Sequence, residues 1–414
     1  MHITDSIRYV GVNDHDIDLF EGLYPVPEGM SYNSYVILDE KIAVLDPVDQ
    51  HFGDAWLANV REALGSRQPD YLVVHHMEPD HSANLARFMD AFPGAAVVAS
   101  DKAFTMMKAY FGQDYADRRV VVKEGSTLPL GQHTLSFIAA PMVHWPEVMM
   151  SFETATGSLF SADAFGKFGA LDIQEVQPQA ERASANAGIG DAKPAAGEDR
   201  SGPTDDWACE ARRYYFGIVG KYGAQVQSVL KKAAALDVRR ICPLHGPVLT
   251  GDALCEAVRL YDIWSSFGVE SEGVVVAYAS IYGHTKEAAL ALASDLEAKG
   301  VKVALHDLCR TEIYEAVEDA FRYGKLALAC VTYNTDVLPP MRAFLHHLSS
   351  RGWRNRTVAL IEGGSWAPMA AKVMTELLAP CKDVTILENP VRILGAMTGE
   401  NRGQIAALAD ALAQ

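Results

Sequence analysis

The first 170 residues carry short hydrophobic runs separated by polar turns, a pattern typical of a domain rich in β-strands. Residues 52–64, 82–91 and 102–111 instead have apolar positions at helical spacing. The apolar run at residues 72–74 predicts a short buried strand. The other strands predicted in this part span residues 34–38, 42–45, 96–99, 120–122, 134–139, 149–153 and 158–161.

A weakly hydrophobic segment interrupts this pattern at residues 172–206. It is rich in Ala, Gly, Pro and Ser and has few large apolar side chains, so it cannot bury enough surface to offset the entropy of ordering it. We predict a flexible insertion, and favour a solvated loop over a lid. Beyond it, residues 207–236 predict two helices broken near Tyr222-Gly223, followed by a strand at 239–242 and a helix at 252–266.

From residue 274 onward, apolar strands alternate regularly with helices. Strands are predicted at 274–279, 302–307, 326–332, 358–362 and 384–387, with helices near 285–299, 311–322, 339–350, 367–379 and 401–412. This alternation predicts an open, doubly wound parallel sheet of five strands with helices on both faces. We therefore expect two domains, an α+β domain at residues 1–266 and an α/β domain at residues 267–414.

Composition narrows the possible partners. A net charge of −17 over 414 residues argues against nucleic acid or an anionic membrane surface as a partner. No apolar run approaches the roughly 20 residues of a membrane span, and the first residues lack the apolar core of a signal peptide. The expected location is the cytoplasm. The six cysteines form no Cys-x-x-Cys pair, which excludes a thiolate zinc ribbon and a fused rubredoxin-type iron site.

Side chains that can bind metal follow the ends of four predicted strands. Four of them lie just past the strand at 72–74, in the sequence HHMEPDH, and each of the other three follows a later strand. The candidate ligands are His76, Glu78, Asp80, His81, His144, Asp163 and His245. Four imidazoles and three carboxylates are too many for one tetrahedral zinc, and suit two metals that share a carboxylate.

This layout resembles the metallo-β-lactamase fold, an αββα sandwich whose hydrolases carry His-x-His-x-Asp-His in the first loop. Here Glu78 stands at the second His, a replacement that resembles the flavodiiron proteins (A-type flavoproteins). A carboxylate favours Fe(III) over Fe(II) or Zn(II). The resemblance implies that one iron is bound by His76, Glu78 and His144, the other by Asp80, His81 and His245, with Asp163 bridging. His75 alternates to the opposite face of the strand end, where a core or supporting role is expected.

A second set of candidate residues surrounds strand ends in the α/β domain. Hydroxyl groups and a glycine between the strand at 274–279 and its helix can present backbone N–H groups to a phosphate. This loop resembles the phosphate loop of flavodoxin, and two later loops match those that hold the flavin ring. The fingerprint Gly-x-Gly-x-x-Gly of nicotinamide-binding proteins is absent. The candidate FMN contacts are Ser280, Ile281, Tyr282, Gly283, His284, Thr285, Thr332, Tyr333, Asn334, Thr335, Gly363, Gly364, Ser365 and Trp366.

The resemblance to flavodiiron proteins extends along the whole chain. It implies an FMN- and diiron-dependent oxidoreductase that reduces NO to N2O, O2 to water, or both; the sequence does not rank the two gases. It also implies an external electron donor, either a rubredoxin-like carrier or a deazaflavin. A head-to-tail homodimer, or a dimer of dimers, is implied as well.

Two alternatives of other classes remain at this stage. One is a metal hydrolase fused to a flavodoxin, which bound zinc and lactonase or thioesterase turnover would support. The other is a binding module, either a diiron sensor of O2 or NO or a simple electron carrier. Slow turnover despite a full supply of electrons would support that alternative.

Overall fold

The computed structural model describes residues 2–172 and 203–414. The chain divides into two compact units, Met1–Tyr261 and Asp262–Gln414, which we call the N-terminal and C-terminal units. The insertion predicted at residues 172–206 lies almost entirely outside the described residues. Within the described residues, no helix is both long enough and apolar enough to cross a membrane.

The N-terminal unit is built from short strands and flanking helices. Its helices are α1 (Gly53–Leu64), α2 (Pro79–Ser82), α3 (Leu85–Ala91), α4 (Asp101–Phe111), α5 (Pro203–Tyr214), α6 (Gly223–Ala233) and α7 (Gly251–Ser265), the last of which continues into the C-terminal unit. Its strands are β1 (Ile7–Tyr9), β2 (Val12–Asp14), β3 (Leu19–Phe20), β4 (Tyr24–Pro25), β5 (Met30–Tyr32), β6 (Tyr35–Ile37), β7 (Ala43–Leu45), β8 (Tyr71–Val73), β9 (Ala96–Ser100), β10 (Arg119–Val122), β11 (Thr127–Pro129), β12 (Thr134–Ala139), β13 (Met149–Glu153), β14 (Ser158–Phe160), β15 (Arg240–Cys242) and β16 (Leu249–Thr250).

Two large sheets form the centre of this unit. The first has the order β1-β6-β7-β8-β9-β10 and the second the order β11-β12-β13-β14-β15-β16. Strands β7 to β10 run parallel, whereas most neighbours in the second sheet are antiparallel. Apolar side chains from both sheets, among them Leu45 and Val73 from the first and Phe137 and Met149 from the second, share one buried core. This is the predicted αββα sandwich, because helices cover the outer faces of two sheets packed face to face.

The C-terminal unit has the predicted doubly wound sheet. Its main path is β18-β17-β19-β21-β22, which is the order 2-1-3-4-5, and the strands on it are parallel. The strands are β17 (Ser271–Ala279), β18 (Val303–Asp307), β19 (Tyr323–Tyr333), β20 (Asp336–Val337), β21 (Arg356–Gly364), β22 (Val384–Ile386) and β23 (Val391–Leu394). The helices are α8 (His284–Glu297), α9 (Ile313–Arg322), α10 (Pro339–Ser350), α11 (Ala370–Leu378) and α12 (Gly399–Ala413).

Several sequence-based boundaries were wrong. The edge strand predicted at 384–387 is β22, but β23 pairs with the same strand β21 and was not predicted; between them Asn389 adopts a left-handed conformation (φ 60°) and Pro390 has no N–H for the ladder. The helix break predicted near Tyr222 begins earlier, at a π-helix over Tyr215–Val219. The helix predicted from residue 82 begins at Leu85, after the separate turn of α2. The ladder β2–β5 and the hairpin β3–β4 were not predicted.

Candidate metal centre and flavin loops

Strand β8 delivers the first group of candidate ligands. It is hydrogen-bonded between β7 and β9, so the residues after it leave a rigid sheet. His76 and Glu78 lie in the connection that follows, as predicted from the sequence. Asp80 and His81, in contrast, do not lie in a loop but on α2, which begins at Pro79. Proline suits the first position of a helix, where its missing N–H costs nothing.

Four of the seven candidate side chains converge at one point. His76 Nε2 lies 3.1 Å from Glu78 Oε2, 3.3 Å from His144 Nε2 and 3.3 Å from Asp163 Oδ2. His144 Nε2 lies 2.9 Å from Glu78 Oε2 and 3.0 Å from Asp163 Oδ2. These atoms are close enough together to bind a single metal ion. We call this group the first metal position.

The other three candidates converge on the opposite oxygen of Asp163. His81 Nε2 lies 2.9 Å from His245 Nε2 and 3.2 Å from Asp80 Oδ2. His81 Nε2 is also 3.2 Å from Asp163 Oδ1, and His245 Nε2 is 3.8 Å from the same oxygen. We call this group the second metal position. Asp163 therefore points one oxygen at each position, as a bridging carboxylate would.

The donor set fits metal ions better than it fits an internal hydrogen-bond network. Asp80 Oδ1 and Oδ2 and Asp163 Oδ1 are buried and form no well-aligned hydrogen bond among the described residues, although His81 Nε2 lies 3.2 Å from Asp80 Oδ2 and from Asp163 Oδ1. The imidazole nitrogens of His81 and His245 face each other, although only one of two facing nitrogens can donate a proton to the other. Buried carboxylates without partners are costly unless a cation compensates them. Hard oxygen donors combined with imidazole suit iron.

Without metal, histidines of the cluster such as His81 and His144 keep their protons to a higher pH than an ordinary imidazole does. Burial lowers the pKa of His81, but the Asp80 and Asp163 carboxylates outweigh it and raise that pKa to about 10. Burial also opposes protonation of His144, while hydrogen bonds with Asp163 and Glu78 raise its pKa to about 9. Conversely, although burial favours the neutral acid, His76 and His81 hold the pKa of Asp163 well below its usual range. A cation entering the site must therefore displace protons from imidazoles.

The Nδ1 atoms of His76 and His245, which point away from the cluster, are hydrogen-bonded to different kinds of group. The Glu147 carboxylate accepts a hydrogen bond from His76 Nδ1 at 2.8 Å, which leaves Nε2 free to face the cluster. His245 Nδ1 donates instead to the backbone carbonyl of Ser31 at 2.7 Å. Neither of these supports was predicted from the sequence. Glu147 lies only three residues after His144, so a search for carboxylates beside candidate ligands would have found it.

His75 faces away from the candidate metal ligands, as predicted. Its ring Nδ1 contacts Asp46 Oδ2 at 2.5 Å, its Nε2 contacts Ser151 Oγ at 2.8 Å, and its backbone N–H donates to Asp46 Oδ1. These three residues form a Ser-His-Asp arrangement, yet all three are buried, and Ser151 is fully so. The network therefore ties the end of β8 to the strand β13 and supports the metal loop, without a nucleophile that solvent can reach.

Two more side chains near the cluster were missed. Glu21, at the tip of the hairpin β3–β4, lies close to Glu78, and removal from water together with the Glu78 carboxylate raises the pKa of Glu21 to about 7. Tyr214, at the end of α5, is buried with its ring 5.5 Å from that of His245, and its hydroxyl has no partner among the described residues. No motif singled out either residue, because tertiary packing alone brings these segments to the site.

The candidate flavin loops follow the parallel strands β17, β19 and β21 at the carboxyl edge of their sheet. Gly283 precedes α8 in a left-handed conformation (φ 98°) that an L side chain rarely adopts, and no side chain caps this helix. Its first N–H groups therefore remain available for an anion such as a phosphate. Gly363 approaches Thr285 so closely that an added Cβ would lie 2.4 Å from its Oγ1.

Large aromatic side chains are exposed to solvent at the same edge of the sheet, where packing within the domain does not bury them. Tyr282 is 91% exposed, Trp366 82% and Tyr333 44%. Asn334 and Thr335 both have positive φ and form the two-residue turn between β19 and β20. Ring faces and open backbone groups at this edge fit a planar flavin. The individual FMN contacts remain predictions.

The chain is similar to known proteins along its whole length. A family model described as "ODP family beta lactamase" matches residues 30–246, and a flavodoxin model matches residues 276–364. A nitric oxide reductase of Moorella thermoacetica is 27% identical over 96% of this chain and 94% of the relative. A rubredoxin-oxygen oxidoreductase of Megalodesulfovibrio gigas is 26% identical over 100% of this chain and 97% of the relative. The crystal structure of the flavodiiron protein from Giardia intestinalis superimposes with a TM-score of 0.87 at 25% identity, covering 99% of this chain and 95% of that one.

Proposed function

The chain belongs to the ODP beta-lactamase family and is a flavodiiron protein, and on that premise we propose that it reduces NO to N2O, O2 to water, or both. The relatives named above include a nitric oxide reductase and a rubredoxin-oxygen oxidoreductase. Its cofactors are FMN in the C-terminal unit and two non-haem iron ions in the N-terminal unit. The corresponding physiological role is detoxification of NO or O2.

One observation carries this proposal. Asp163 directs its two carboxylate oxygens at two separate groups of donors, with Oδ2 3.0 Å from His144 and Oδ1 3.2 Å from His81. Two such groups exclude a mononuclear site, but two-metal sites also occur in hydrolases. Multi-electron reduction of a small molecule is favoured over hydrolysis because Glu78 replaces the second His of the hydrolase motif and the same chain carries a flavodoxin domain.

When bound, the flavin and the iron pair supply electrons and an open coordination position for the gas. The residues of this chain then have distinct tasks. His76, His81 and His245 are fully buried and keep bulk water from that side of the site. Glu78 and Asp80 retain 14% and 12% side-chain exposure, so the gas is expected to enter on their side. Asp163 fixes the separation of the two positions.

The electron donor and the oligomer are further parts of the proposal. We propose that a rubredoxin-like carrier or a deazaflavin reduces the FMN, and the relative named a rubredoxin-oxygen oxidoreductase supports the first of these donors. We also propose a head-to-tail homodimer, or a dimer of such dimers. Sedimentation analysis of the loaded protein tests the oligomer, and stopped-flow reduction of FMN by each donor type tests the donor.

The central experiment is anaerobic purification followed by iron and FMN counts and stopped-flow mixing of the fully reduced protein with O2 or NO. We expect two irons and one FMN per chain and rapid consumption of at least one gas. Glu78→Ala should lose metal from the first position. Two irons and full activity in Glu78→Ala would refute the ligand assignment. Zinc in place of iron, with lactonase or thioesterase turnover, would refute the function.

A further inference from the structure

The two metal positions differ in the groups that accept hydrogen bonds from the outer nitrogens of their imidazole rings, and in the charge of those groups. At the first position, Glu147 Oε1 accepts hydrogen bonds from His76 Nδ1 at 2.8 Å and from the backbone N–H of Met77 at 2.9 Å. This one carboxylate thus fixes both the ring of His76 and the backbone next to it. The carboxylate side chain is itself fully buried.

At the second position, the outer nitrogen of one imidazole is hydrogen-bonded to a neutral group and that of the other has no partner among the described residues. His245 Nδ1 donates to the carbonyl of Ser31 at 2.7 Å. His81 Nδ1 is buried and has no hydrogen-bond partner among the described residues. A carboxylate behind an imidazole raises its basicity as a ligand and adds a negative charge near the metal, whereas a backbone carbonyl adds a dipole only.

Only one of the two oxygens of Glu147 is paired. Oε2 is buried and has no hydrogen-bond partner among the described residues. An ionised carboxylate in such surroundings is costly unless a cation lies nearby. The neighbouring His76 links this carboxylate directly to the point where the first metal would bind.

From these contacts we propose that Glu147 is a positioning residue that makes the first metal position the tighter of the two and favours its oxidised state. The inference rests on the metal assignment of the proposed function, and adds to it an order of loading and of reduction. Metal enters the first position before the second. Of the two positions, the second is the easier to reduce.

The chain offers a matched control for a variant at Glu147. Glu153, at the end of β13, is also a fully buried carboxylate next to a histidine, with Oε1 3.0 Å from His133 Nδ1, and it accepts backbone N–H groups from Ala155 and Thr156. His133 is not among the candidate metal ligands. Glu153→Ala therefore reports the structural cost of losing a buried carboxylate without touching the metal site.

The test is a titration of metal-free protein with Fe(II) under anaerobic conditions, in competition with a chelator. We expect two binding events of unequal affinity in the wild type. Glu147→Ala should weaken the tighter event about 10- to 100-fold and leave the weaker one unchanged. Glu147→Gln keeps an acceptor oxygen but removes the charge, so it should weaken the tighter binding event less than Glu147→Ala does. It should also raise the midpoint potential of the iron that is oxidised first. Thermal unfolding of the metal-free forms measures the structural cost separately.

The outcomes separate this inference from the proposed function. Failure of the wild type to bind two Fe(II) would overturn the metal assignment and the function with it. Two binding events that are equal in the wild type, or unchanged in Glu147→Ala, would overturn only the role of Glu147. An equal loss of affinity in Glu153→Ala would also overturn it, because the effect would then be general destabilisation. An unchanged potential in Glu147→Gln would contradict the electrostatic part.

Discussion

The metal site of the N-terminal unit and the flavin loops of the C-terminal unit are assembled in opposite ways. The candidate metal ligands come from segments as far apart as His76 and His245, yet they are buried and hydrogen-bonded to one another. The flavin loops come from consecutive positions of one parallel sheet and present exposed side chains such as Tyr282 and Trp366.

The difference shows what each site depends on. Parallel strands end at one edge whatever their side chains are, so topology alone gathers the flavin loops. The metal site requires two sheets to pack in one exact arrangement, and its close carboxylates and imidazoles depend on one another's charge. Substitution of the shared carboxylate should therefore affect both metal positions together, whereas substitutions at the flavin edge should each weaken FMN binding by a small amount.

The strongest test of this comparison is Asp163→Asn. A neutral amide cannot replace a carboxylate that serves two positions, so we expect both metals to be lost and gas reduction to fall more than about 100-fold. FMN should remain bound at one per chain. Metal analysis, flavin absorbance and stopped-flow kinetics measure the three quantities. Retention of both metals would show that the cluster does not depend on its shared carboxylate.

Acidity should affect the metal site next most strongly. The pKa values of His81 and His144 in the metal-free protein, about 10 and about 9, lie above neutrality, so both rings are protonated at pH 7 and must lose their protons to bind metal. Affinity for Fe(II) should therefore rise about tenfold per pH unit for each proton displaced, and level off near those pKa values. A pH series of chelator competition measures this slope, and FMN affinity over the same range is the control.

The same shifts fix the sign of a stability effect. The pKa of His81 is raised from 6.5 to about 10 on folding, so its contribution to stability is present below pH 6.5 and lost as the pH rises toward 10. Thermal unfolding of the metal-free protein should therefore occur at lower temperature at pH 9 than at pH 7. A flat profile would contradict the charge assignment of the cluster.

Trp366→Ala should have a smaller effect, confined to the flavin. An exposed ring that stacks on a flavin contributes about 0.5–1.5 kcal/mol, which corresponds to a roughly 2- to 12-fold weaker affinity. Because the side chain is 82% exposed without ligand, the unfolding temperature of the FMN-free protein should not change. Fluorescence titration with FMN measures the affinity. A loss of iron in this variant would contradict the separation of the two sites.

Ser151→Ala should have the smallest effect. It removes the hydroxyl that contacts His75 Nε2 and leaves Asp46 on the other nitrogen. The expected cost is about 1 kcal/mol of unfolding free energy, with both metals retained. Chemical denaturation and metal analysis measure the two quantities. A loss of metal instead would show that this buried network positions the ligands and does not merely stabilise the loop beneath them.

Local sequence determined much of the C-terminal unit. Its alternating strands and helices were predicted from hydrophobic patterning, whereas β20 and β23 were not; β23 follows the interruption at Asn389 and Pro390. In the N-terminal unit, the spacing of HHMEPDH predicted ligands beyond β8 but not the helical turn that carries Asp80 and His81. A four-residue helix has too little periodicity to be recognised in a sequence.

By itself, then, the sequence determined the two folds, the seven donor types and the loops at the strand ends. These features depend on hydrophobic periodicity and on residue chemistry, which are properties of short segments. The family resemblance already implied how the donors divide around Asp163. Only the tertiary structure decided that Glu147 supports His76 and that Glu21 and Tyr214 border the site. Such contacts join residues far apart in the chain, and the packing of two sheets fixes them rather than any local pattern.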